Sequence, residues 1–517
     1  MILAQYSIRS KQEYIFKTNK VLEIIGASEN IARIWEFLLK TASENNLKVR
    51  NSREKFDINE IKKEFEQNSL NVVELFCGGG NETLLIDSKE NYLRLNRAFS
   101  KKLISKYPGM IPMVVGIEVK GDEYSSDYRK LKLEEEKKKN VMEQPWNMFT
   151  VPFAMMDRNT FQPYSRVITI ENKQVRMTDE SYSKYIVGRK LRNSNNDIRF
   201  FDEMVTQKGK ESLLAIVHAD GNNMGYKIMG MLKDEKDYNK AIPLMRDFTN
   251  TTADCFEVYG EEALKRCKER LLKENAKQIN EKKLKESSLS YRRIIRSGDD
   301  VTIICNGRFV MDYVKAYLDA VQNYQKDKGG KWGYSSCAGI CIFHSHFPFS
   351  TAYSIAEQAC DDGAKVKVHS SDVSGKLVEQ GWMDFHFIHN GIGGDLKEIR
   401  KNQGINRCVA RPWLVSVNNK DELSKEDFCY EKLLKLKDIV ENNKKYGMES
   451  PVSRTAIKTI GSAFEGSEAA AKKELISLYG HTPNLEKAIK SVYKDENTFL
   501  KALYDFAEIY DLWYRGV

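Results

Sequence analysis

The sequence predicts an α+β fold with two βαββαβ units and a mostly helical C-terminal domain. The same order of elements (strand, helix, two strands, helix, strand) can be read twice along the chain, and this is the ferredoxin-like order. After about residue 420 the apolar spacing becomes helical to the end. Identity between the two units is faint, so the predicted duplication depends on the order of the elements.

The first unit is predicted for residues 1–120. It begins with a strand and a helix, continues through a hairpin and a second helix, and closes with a strand. These elements are assigned to Ile2–Ser7, Glu29–Ser43, the hairpin Val72–Phe76 with Leu84–Asp87, Tyr92–Tyr107 and Ile111–Val119.

The second unit is predicted for residues 213–390. Its first strand is a continuous apolar run, which is typical of a central strand covered on both faces. A helix that begins near Pro348 and a strand at Met383–Ile388 follow the unit's closing strand. The repeated elements are assigned to Leu213–Ala219, helices within Asp237–Asn275, the hairpin Ile294–Ile295 with Val301–Cys305, Phe309–Gln325 and Ser336–Phe343.

Two further regions complete the organisation. Residues 121–212 are interpreted as a connecting region with a charged run at Lys130–Lys139, and they contain no cysteine, so no zinc module is expected there. Residues 391–517 are predicted to form the mostly helical domain, with amphipathic runs at Leu433–Glu441, Glu468–Tyr479 and Phe499–Trp513.

Composition excludes several classes of protein. The 517 residues suffice for roughly three domains, and 41% hydrophobic with 30% charged residues is typical of a globular chain. No uncharged apolar stretch of about 18 residues appears, and the N-terminus lacks the features of a secretory signal, so we expect a cytoplasmic protein without a membrane partner. Nine cysteines without a Cys-x-x-Cys pair predict neither a disulfide nor a zinc framework.

Carboxylates lie at the ends of two predicted strands of the second unit. The strand Leu213–Ala219 runs directly into Asp220, and the hairpin tip reads Ser297-Gly298-Asp299-Asp300. In a βαββαβ unit the first strand and the hairpin lie side by side, so we expect these acids to converge. Each motif alone is an ordinary solvated turn, but the combination is hard to explain by turn formation.

Converging carboxylates indicate phosphoryl transfer assisted by two divalent ions. Such reactions use two metals about 3.5–4 Å apart, one for the attacking hydroxyl and one for the leaving pyrophosphate. Mg²⁺ and Mn²⁺ take hard oxygen ligands. We therefore expect Asp220, Asp299 and Asp300 to be the catalytic carboxylates, with the carbonyl of Gly221 as a further metal ligand.

The residues after Asp220 are candidates for binding a triphosphate. Gly221 and Gly225 allow the backbone to approach phosphate closely, and the N–H groups of Asn222, Asn223 and Met224 can donate to its oxygens.

These motifs resemble those of the CRISPR polymerase family, which includes the large subunit of type III CRISPR effectors and its stand-alone relatives. The resemblance is carried in the second unit by Leu214–Gly225 and by Ser297–Val301, which are similar to the second palm domain of that family. The other matching pieces are Gln12–Phe16, Ile25–Ser28, Gly78–Asn81, Pro108-Gly109, Ala338–Ile340, Ala364-Lys365 and Arg411–Trp413.

The resemblance implies a palm that binds ATP with two Mg²⁺ or Mn²⁺ ions and makes cyclic oligoadenylates or cyclic dinucleotides as antiviral second messengers. It implies that Lys365 contacts the triphosphate and that Ser297 and Gly298 belong to the nucleotide site. Ser297 stands where the family usually has glycine, and Asn222 stands where it usually has aspartate. The first histidine is His218, so the N-terminal metal nuclease of many large subunits is not expected.

The first unit lacks the acids of the second. Its hairpin tip reads Cys77-Gly78-Gly79-Gly80-Asn81, and its first strand runs into Ser7 rather than an aspartate. We expect no catalytic metal there. Gly78, Gly79 and Gly80 either admit an acceptor nucleotide close to the backbone or belong to a structural duplicate.

Two alternative functions remain open at this point. The first is a nucleotide- or RNA-binding subunit of a CRISPR-type effector complex with little catalysis, held by partner proteins. The second is a template-dependent nucleic-acid polymerase, since Gly-Asp-Asp hairpins also occur there. A homodimer that pairs two palms is a further expectation, and the resemblance implies a prokaryotic cytoplasm.

Overall fold

The computed structural model describes residues 1–141, 154–158, 160–170, 172–195, 201–205, 212–233, 235–370, 379–388, 394–419, 423 and 425–513. The chain divides into two compact units. The first unit contains Met1–Phe200, Asn223–Val258 and Ile294–Val301, and the second contains Phe201–Asn222, Tyr259–Arg293 and Thr302–Val517.

The first sheet has five strands. They are β1 (Ile2–Arg9), β2 (Val49–Arg50), β3 (Val72–Gly78), β4 (Asn81–Ile86) and β5 (Ile111–Glu118). Their order is β2-β3-β4-β1-β5, with β1 antiparallel to both β4 and β5, and β2 parallel to β3. The mixed sheet therefore has a hairpin, β3–β4, whose tip carries the glycines singled out by the sequence.

Helices cover the first sheet because one face of it is apolar. Leu3, Val73 and Leu85 of this face pack with Tyr124 and Tyr238 in one buried cluster. The helices of the first unit are Lys11–Phe16, Val21–Ala32, Ile34–Glu44, Ile58–Glu66, Lys89–Lys106, Tyr124–Asn140, Asp179–Asn195, Met224–Lys233 and Tyr238–Ala253, followed by a π-helical turn at Asp254–Tyr259.

Residues 121–212 carry regular structure of their own. The charged run lies in the helix Tyr124–Asn140, and a hairpin of β6 (Arg166–Ile170) and β7 (Lys173–Met177) follows. The helix Asp179–Asn195 crosses Val21–Ala32 at two glycines, since a Cβ on Gly26 would lie 1.8 Å from the carbonyl oxygen of Lys184, and one on Gly188 would lie 1.9 Å from that of Leu22. The helix Asp179–Asn195 is therefore packed closely within the first unit.

The second sheet has six strands in the order β13-β12-β11-β8-β10-β9. β11 pairs antiparallel with β8 and parallel with β12. The strands are β8 (Leu213–Gly221), β9 (Tyr291–Ser297), β10 (Asp300–Asn306), β11 (Ser336–His344), β12 (Gln380–Phe387) and β13 (Trp413–Val417).

The second unit is rich in helices after its last strand. Its α-helices are Gly260–Glu274, Ala276–Asn280, Val310–Lys328, Phe349–Gln358, Lys365–Ser370, Leu396–Asn402, Tyr430–Glu441, Arg454–Gly466, Glu468–His481, Leu485–Lys490 and Glu496–Trp513. A π-helical turn lies at Ala359–Ala364, and short 3₁₀ turns lie at Phe201–Met204, Glu286–Leu289, Gly307–Phe309, Ile405–Arg407 and Asn443–Tyr446.

A buried carboxylate ties the last helix to β13. Asp505 is fully buried and accepts hydrogen bonds from the N–H groups of Ala410 (3.2 Å) and Arg411 (2.7 Å) and from Trp413 Nε1 (2.9 Å). Three N–H donors compensate much of the cost of burying this carboxylate.

The structure confirms an α+β chain with two mixed sheets and C-terminal helices, and it revises some boundaries. The helix predicted at Glu29–Ser43 is two helices, Val21–Ala32 and Ile34–Glu44, because the backbone of Arg33 leaves the helical conformation with φ −99° and ψ 1°. Within the described residues, no helix is long and apolar enough to span a bilayer.

Candidate active site

The tips of two hairpins meet inside the first unit. Gly79 (φ +58°), Gly80 (φ +69°) and Gly298 (φ +67°) all have left-handed backbone conformations, which glycine adopts without strain. A Cβ on Gly298 would lie 3.1 Å from the nitrogen and 3.2 Å from the Cα of Gly79. The two tips therefore approach each other backbone to backbone, and side chains there would separate them.

A carboxylate holds the acidic tip in place. The N–H of Gly298 donates a hydrogen bond of 3.0 Å to Glu257 Oε1. Glu257 lies on the π-helical turn Asp254–Tyr259, where one helix of the first unit ends. Such turns occur often at functional sites. Asp299 and Asp300 follow Gly298 directly and are half-buried.

A cavity of about 450 Å³ lies beside the two tips, within the first unit. Its polar lining residues include Gly78–Asn81, Glu257, Asp299 and Lys132. Its apolar lining residues include Trp35, Phe76, Tyr128, Met224, Ile228, Met245 and Phe248. A cavity lined by both charged and aromatic groups is suited to a ligand with a charged part and a flat apolar part.

Lys11 lies within electrostatic reach of the acidic tip. Burial lowers the pKa of Lys11, and the carboxylates of Asp300 and Asp299 oppose this shift by favouring the charged ammonium. Lys11 belongs to the first helix of the chain, whereas the two acids belong to the hairpin β9–β10. Because these elements are far apart in the sequence, the sequence alone does not indicate that they lie close together.

Asp220 lies near the end of β8, in the second unit. Its backbone faces Cys337 of β11 across the antiparallel pair, and its carbonyl oxygen accepts a 2.9 Å hydrogen bond from the Ser336 hydroxyl. The following Gly221 is buried at the end of the strand, opposite Ser336.

Asn222 donates hydrogen bonds to other residues of the second unit. Its N–H donates to the Ser335 carbonyl oxygen at 2.9 Å, and its amide nitrogen donates to Ser335 Oγ at 2.9 Å and to the Gln380 carbonyl at 2.8 Å. These contacts take up the N–H that the sequence assigned to a triphosphate. Asn223 (φ +59°) and Met224 then lead into the helix Met224–Lys233, and Gly225 is exposed.

Lys365 forms an ion pair with the carboxylate of Asp220. It also lies 3.3 Å from Asp361 Oδ1. Burial lowers the pKa of Lys365, but the neighbouring Asp220 carboxylate outweighs it, so the pKa is raised and the ammonium stays charged. Asp220 thus already stabilises a cation in the free protein. The carboxylates of Asp220, Asp299 and Asp300 supply the hard oxygen ligands that Mg²⁺ and Mn²⁺ prefer.

His218 is packed, as its place on a buried strand suggested. Only 4% of the residue is exposed, and the Tyr353 hydroxyl lies 3.3 Å from its Nδ1. Burial lowers the pKa of His218, although nearby carboxylates, Asp220 among them, favour the charged ring.

Two residues of the site were not predicted from the sequence. Glu257 and Lys11 belong to no motif in the sequence, and only the tertiary structure brings them to the acidic tip. Of the predicted residues, the structure groups Gly78, Gly79 and Gly80 with Gly298 and Asp299, and groups Asp220 with Lys365. Ser297 ends β9.

The fold and the acids at its strand ends define a palm-type domain. Residues 213–372 match the family model of the Cas10/Cmr2 second palm domain. This part of the chain is therefore a Cas10/Cmr2-type palm, and the resemblance to the CRISPR polymerase family is confirmed for it.

Solved structures and curated proteins were compared as well. The chain is similar to Csm1–Csm4 cassettes in complex with cA4 and with pppApA, each at 10% identity and a TM-score of 0.48, covering 98% and 99% of this chain and 69% of the other. Csm1 from T. onnurineus gives 11% identity and a TM-score of 0.44 over 99% and 69%. At TM-scores below 0.5 these similarities add nothing to the assignment. Comparison with curated proteins gives no match.

Proposed function

We propose that this protein is a two-metal nucleotidyltransferase that condenses ATP, or another nucleoside triphosphate, into a cyclic oligonucleotide or cyclic dinucleotide for antiviral signalling. One observation carries the proposal. In a palm of the Cas10/Cmr2 type, Asp220 near the end of β8 and Asp300 at the start of β10 belong to strands that are neighbours in the sheet order.

The proposed catalytic residues are Asp220, Asp299 and Asp300, with the Gly221 carbonyl as an additional ligand of Mg²⁺ or Mn²⁺. When bound, two such ions supply activation of the attacking hydroxyl and charge stabilisation at the leaving pyrophosphate. The chain's own part is to hold these oxygens in a fixed arrangement. Glu257 contributes by fixing Gly298, the residue before the acid pair.

Lys365 is proposed to bind the triphosphate of the reacting nucleotide. Its raised pKa keeps it cationic at all physiological pH values. An ammonium that pairs with Asp220 in the free protein can exchange that partner for a phosphate oxygen. The other proposed nucleotide contacts come from backbone groups of two tight turns, at Asn222–Gly225 and at Ser297-Gly298. The proposed role of Asn222 is to shape the first of these turns.

The cavity beside Gly78, Gly79 and Gly80 is the proposed acceptor site. The glycines leave the backbone open to a ribose or phosphate, and the aromatic residues of the lining can receive a base. Asp299 lines the same cavity, so an acceptor there would lie next to a proposed metal ligand. The first palm would then supply position, and the second palm would supply the chemistry.

The finer architecture is part of the same proposal. In each sheet the closing strand, the first strand and the two hairpin strands follow the order β5-β1-β4-β3 or β11-β8-β10-β9. Equal order supports two ferredoxin-like palms at 1–120 and 213–390, joined by 121–212 and followed by the helical domain 391–517. We further propose a prokaryotic cytoplasmic setting and, as partners, a second copy or effector-complex subunits with RNA.

The test is incubation of the purified chain with each nucleoside triphosphate and Mg²⁺ or Mn²⁺, with products resolved by mass spectrometry. The double variant Asp299→Asn/Asp300→Asn is compared with Glu262→Gln/Glu269→Gln, which removes two exposed charges from the helix Gly260–Glu274. We expect condensed nucleotides from the wild type and the control only. Nucleotide binding without any product, also with candidate partners present, would favour the binding-subunit function instead.

A further inference from the structure

Three different metal-binding side chains converge in the second unit. A ring nitrogen of His218, Sγ of Cys360 and a carboxylate oxygen of Asp361 all lie within 4.8 Å of one another. His218 comes from β8, whereas Cys360 and Asp361 come from the π-helical turn Ala359–Ala364. His218 and Cys360 are buried, and Asp361 is exposed.

The turn is held close to the sheet by a glycine. A Cβ on Gly339 of β11 would lie 1.9 Å from the carbonyl oxygen of Ala356 and 2.3 Å from the nitrogen of Cys360. The backbone of the turn thus rests directly on β11, and Cys360 Sγ lies 3.5 Å from the Cys337 carbonyl oxygen. This contact fixes the thiol relative to the neighbouring strand β8.

We propose that His218, Cys360 and Asp361 form a binding site for a transition-metal ion of the Zn²⁺ class. The mixed set of nitrogen, sulfur and oxygen is typical of Zn²⁺ and foreign to Mg²⁺, which takes oxygen ligands. Three protein ligands with water as the fourth make the usual open zinc site. On binding, Cys360 Sγ loses its proton to solvent and forms the metal–sulfur bond as a thiolate.

The surroundings of the cluster favour a cation and provide a path to it. The carboxylates of Asp220 and Glu357 add negative charge near His218, and Lys365 is the cation that opposes them. The side chain of Asp361 is 52% exposed, so an ion can enter from that side. Because Lys365 Nζ lies 3.3 Å from Asp361, a bound ion competes with this ion pair.

The site has its own ligands, although Lys365 links it to the proposed nucleotide site through its ion pairs with Asp361 and Asp220. Its sulfur and nitrogen donors are not needed by the oxygen-ligated metals, and neither Asp299 nor Asp300 belongs to it. Metal binding by the cluster and nucleotidyl transfer can therefore be tested, and can fail, separately.

The test is titration of the full chain with Co²⁺, followed by near-ultraviolet absorption, since only a cobalt–thiolate bond gives a charge-transfer band there. We expect a band that saturates at one ion per chain. It should persist in Cys341→Ser, a buried cysteine on β11 outside the cluster, and in Asp299→Asn/Asp300→Asn, and be lost in Cys360→Ser.

A second pair of variants tests the site even if Cys360→Ser does not fold. Asp361→Asn changes an exposed side chain and should weaken Co²⁺ binding at least about tenfold, whereas Asp362→Asn, one residue further along the turn, should not. Absence of the band in the wild type, its survival in Cys360→Ser, or equal affinities in the two aspartate variants would overturn the proposal.

Discussion

The two hairpins β3–β4 and β9–β10 have the same place in their sheets but different tips. The first presents Gly78, Gly79 and Gly80, and the second presents Gly298 followed by Asp299 and Asp300. Both turns use left-handed glycines, so the backbone requirement is shared. The tips differ in charge, so the geometry of the turn alone does not indicate which hairpin could hold metal ions.

An acid also lies near the first tip, but it is buried. Glu82 of β4 is fully buried opposite Cys77 of β3. Burial, reinforced by the nearby Glu74 carboxylate, raises the pKa of Glu82 well above its usual range. Under the proposed function, the acids of the second tip are available for metal, whereas burial disfavours the charged form of Glu82.

The largest expected effect comes from Asp220→Asn. Losing this carboxylate should lower the turnover number by about 10²- to 10³-fold, the scale of removing one preorganised electrostatic element. Asp362→Asn removes an exposed carboxylate that pairs with Lys397 at 3.3 Å and should leave the rate unchanged. Steady-state product formation measures both, and a comparable loss in Asp362→Asn would show that net charge, not the position of Asp220, matters.

Lys365→Gln is expected to act on nucleotide binding. A charge-assisted contact with phosphate contributes about 1.5–3 kcal/mol, so KM for the triphosphate should rise about 10- to 100-fold. Lys367, whose ammonium lies 5.7 Å from the centre of the Trp382 ring, provides the matched control Lys367→Gln. An unchanged KM in Lys365→Gln would remove Lys365 from the nucleotide site.

Glu257→Gln tests how the second tip is positioned. Glutamine can keep an acceptor for the Gly298 N–H but loses the charge, which weakens the hydrogen bond by about 1 kcal/mol. We expect kcat to fall about fivefold with KM for the triphosphate nearly unchanged. Glu262→Gln on the next helix should have no effect, and a KM change without a kcat change in Glu257→Gln would contradict a positioning role.

Glu82→Gln tests the first tip through stability and not activity. Because the folded-state pKa of Glu82 is raised, its contribution to stability is fully present below the unfolded pKa and is lost as pH rises through the folded pKa. Glutamine should therefore stabilise the chain at pH 8 relative to pH 4.5. Thermal unfolding at the two pH values measures this, and a stabilisation that is equal at both would exclude ionisation as its cause.

The sequence was most informative where local chemistry and strand pattern coincide. Asp220 after an apolar run and Asp299 in a tight turn became candidates because each was expected at a strand end, where the structure places them. The match to a second palm domain over residues 213–372 is confirmed. Lys365 was found only through the family resemblance. Its partner Asp220 is 145 residues away in the sequence, and the spacing of apolar residues does not predict a contact over that separation.

The rest could not be predicted for physical reasons. Glu257 and Lys11 are charged residues of helices, and their closeness to the acidic tip arises from packing between elements distant in the chain. The helix Tyr124–Asn140 looked like a charged linker because only one narrow face is buried. The sequence also contained no sign that the backbone N–H of Asn222, a candidate phosphate donor, donates to the carbonyl oxygen of Ser335.

The central claim is that the second hairpin, and not the first, holds the divalent ions. Mn²⁺ binding with a non-hydrolysable ATP analogue, measured by electron paramagnetic resonance, tests it most directly. We expect Asp299→Asn/Asp300→Asn to lose bound Mn²⁺, while Glu82→Gln and Glu262→Gln/Glu269→Gln keep it. Equal Mn²⁺ binding in Asp299→Asn/Asp300→Asn and the wild type would contradict the account.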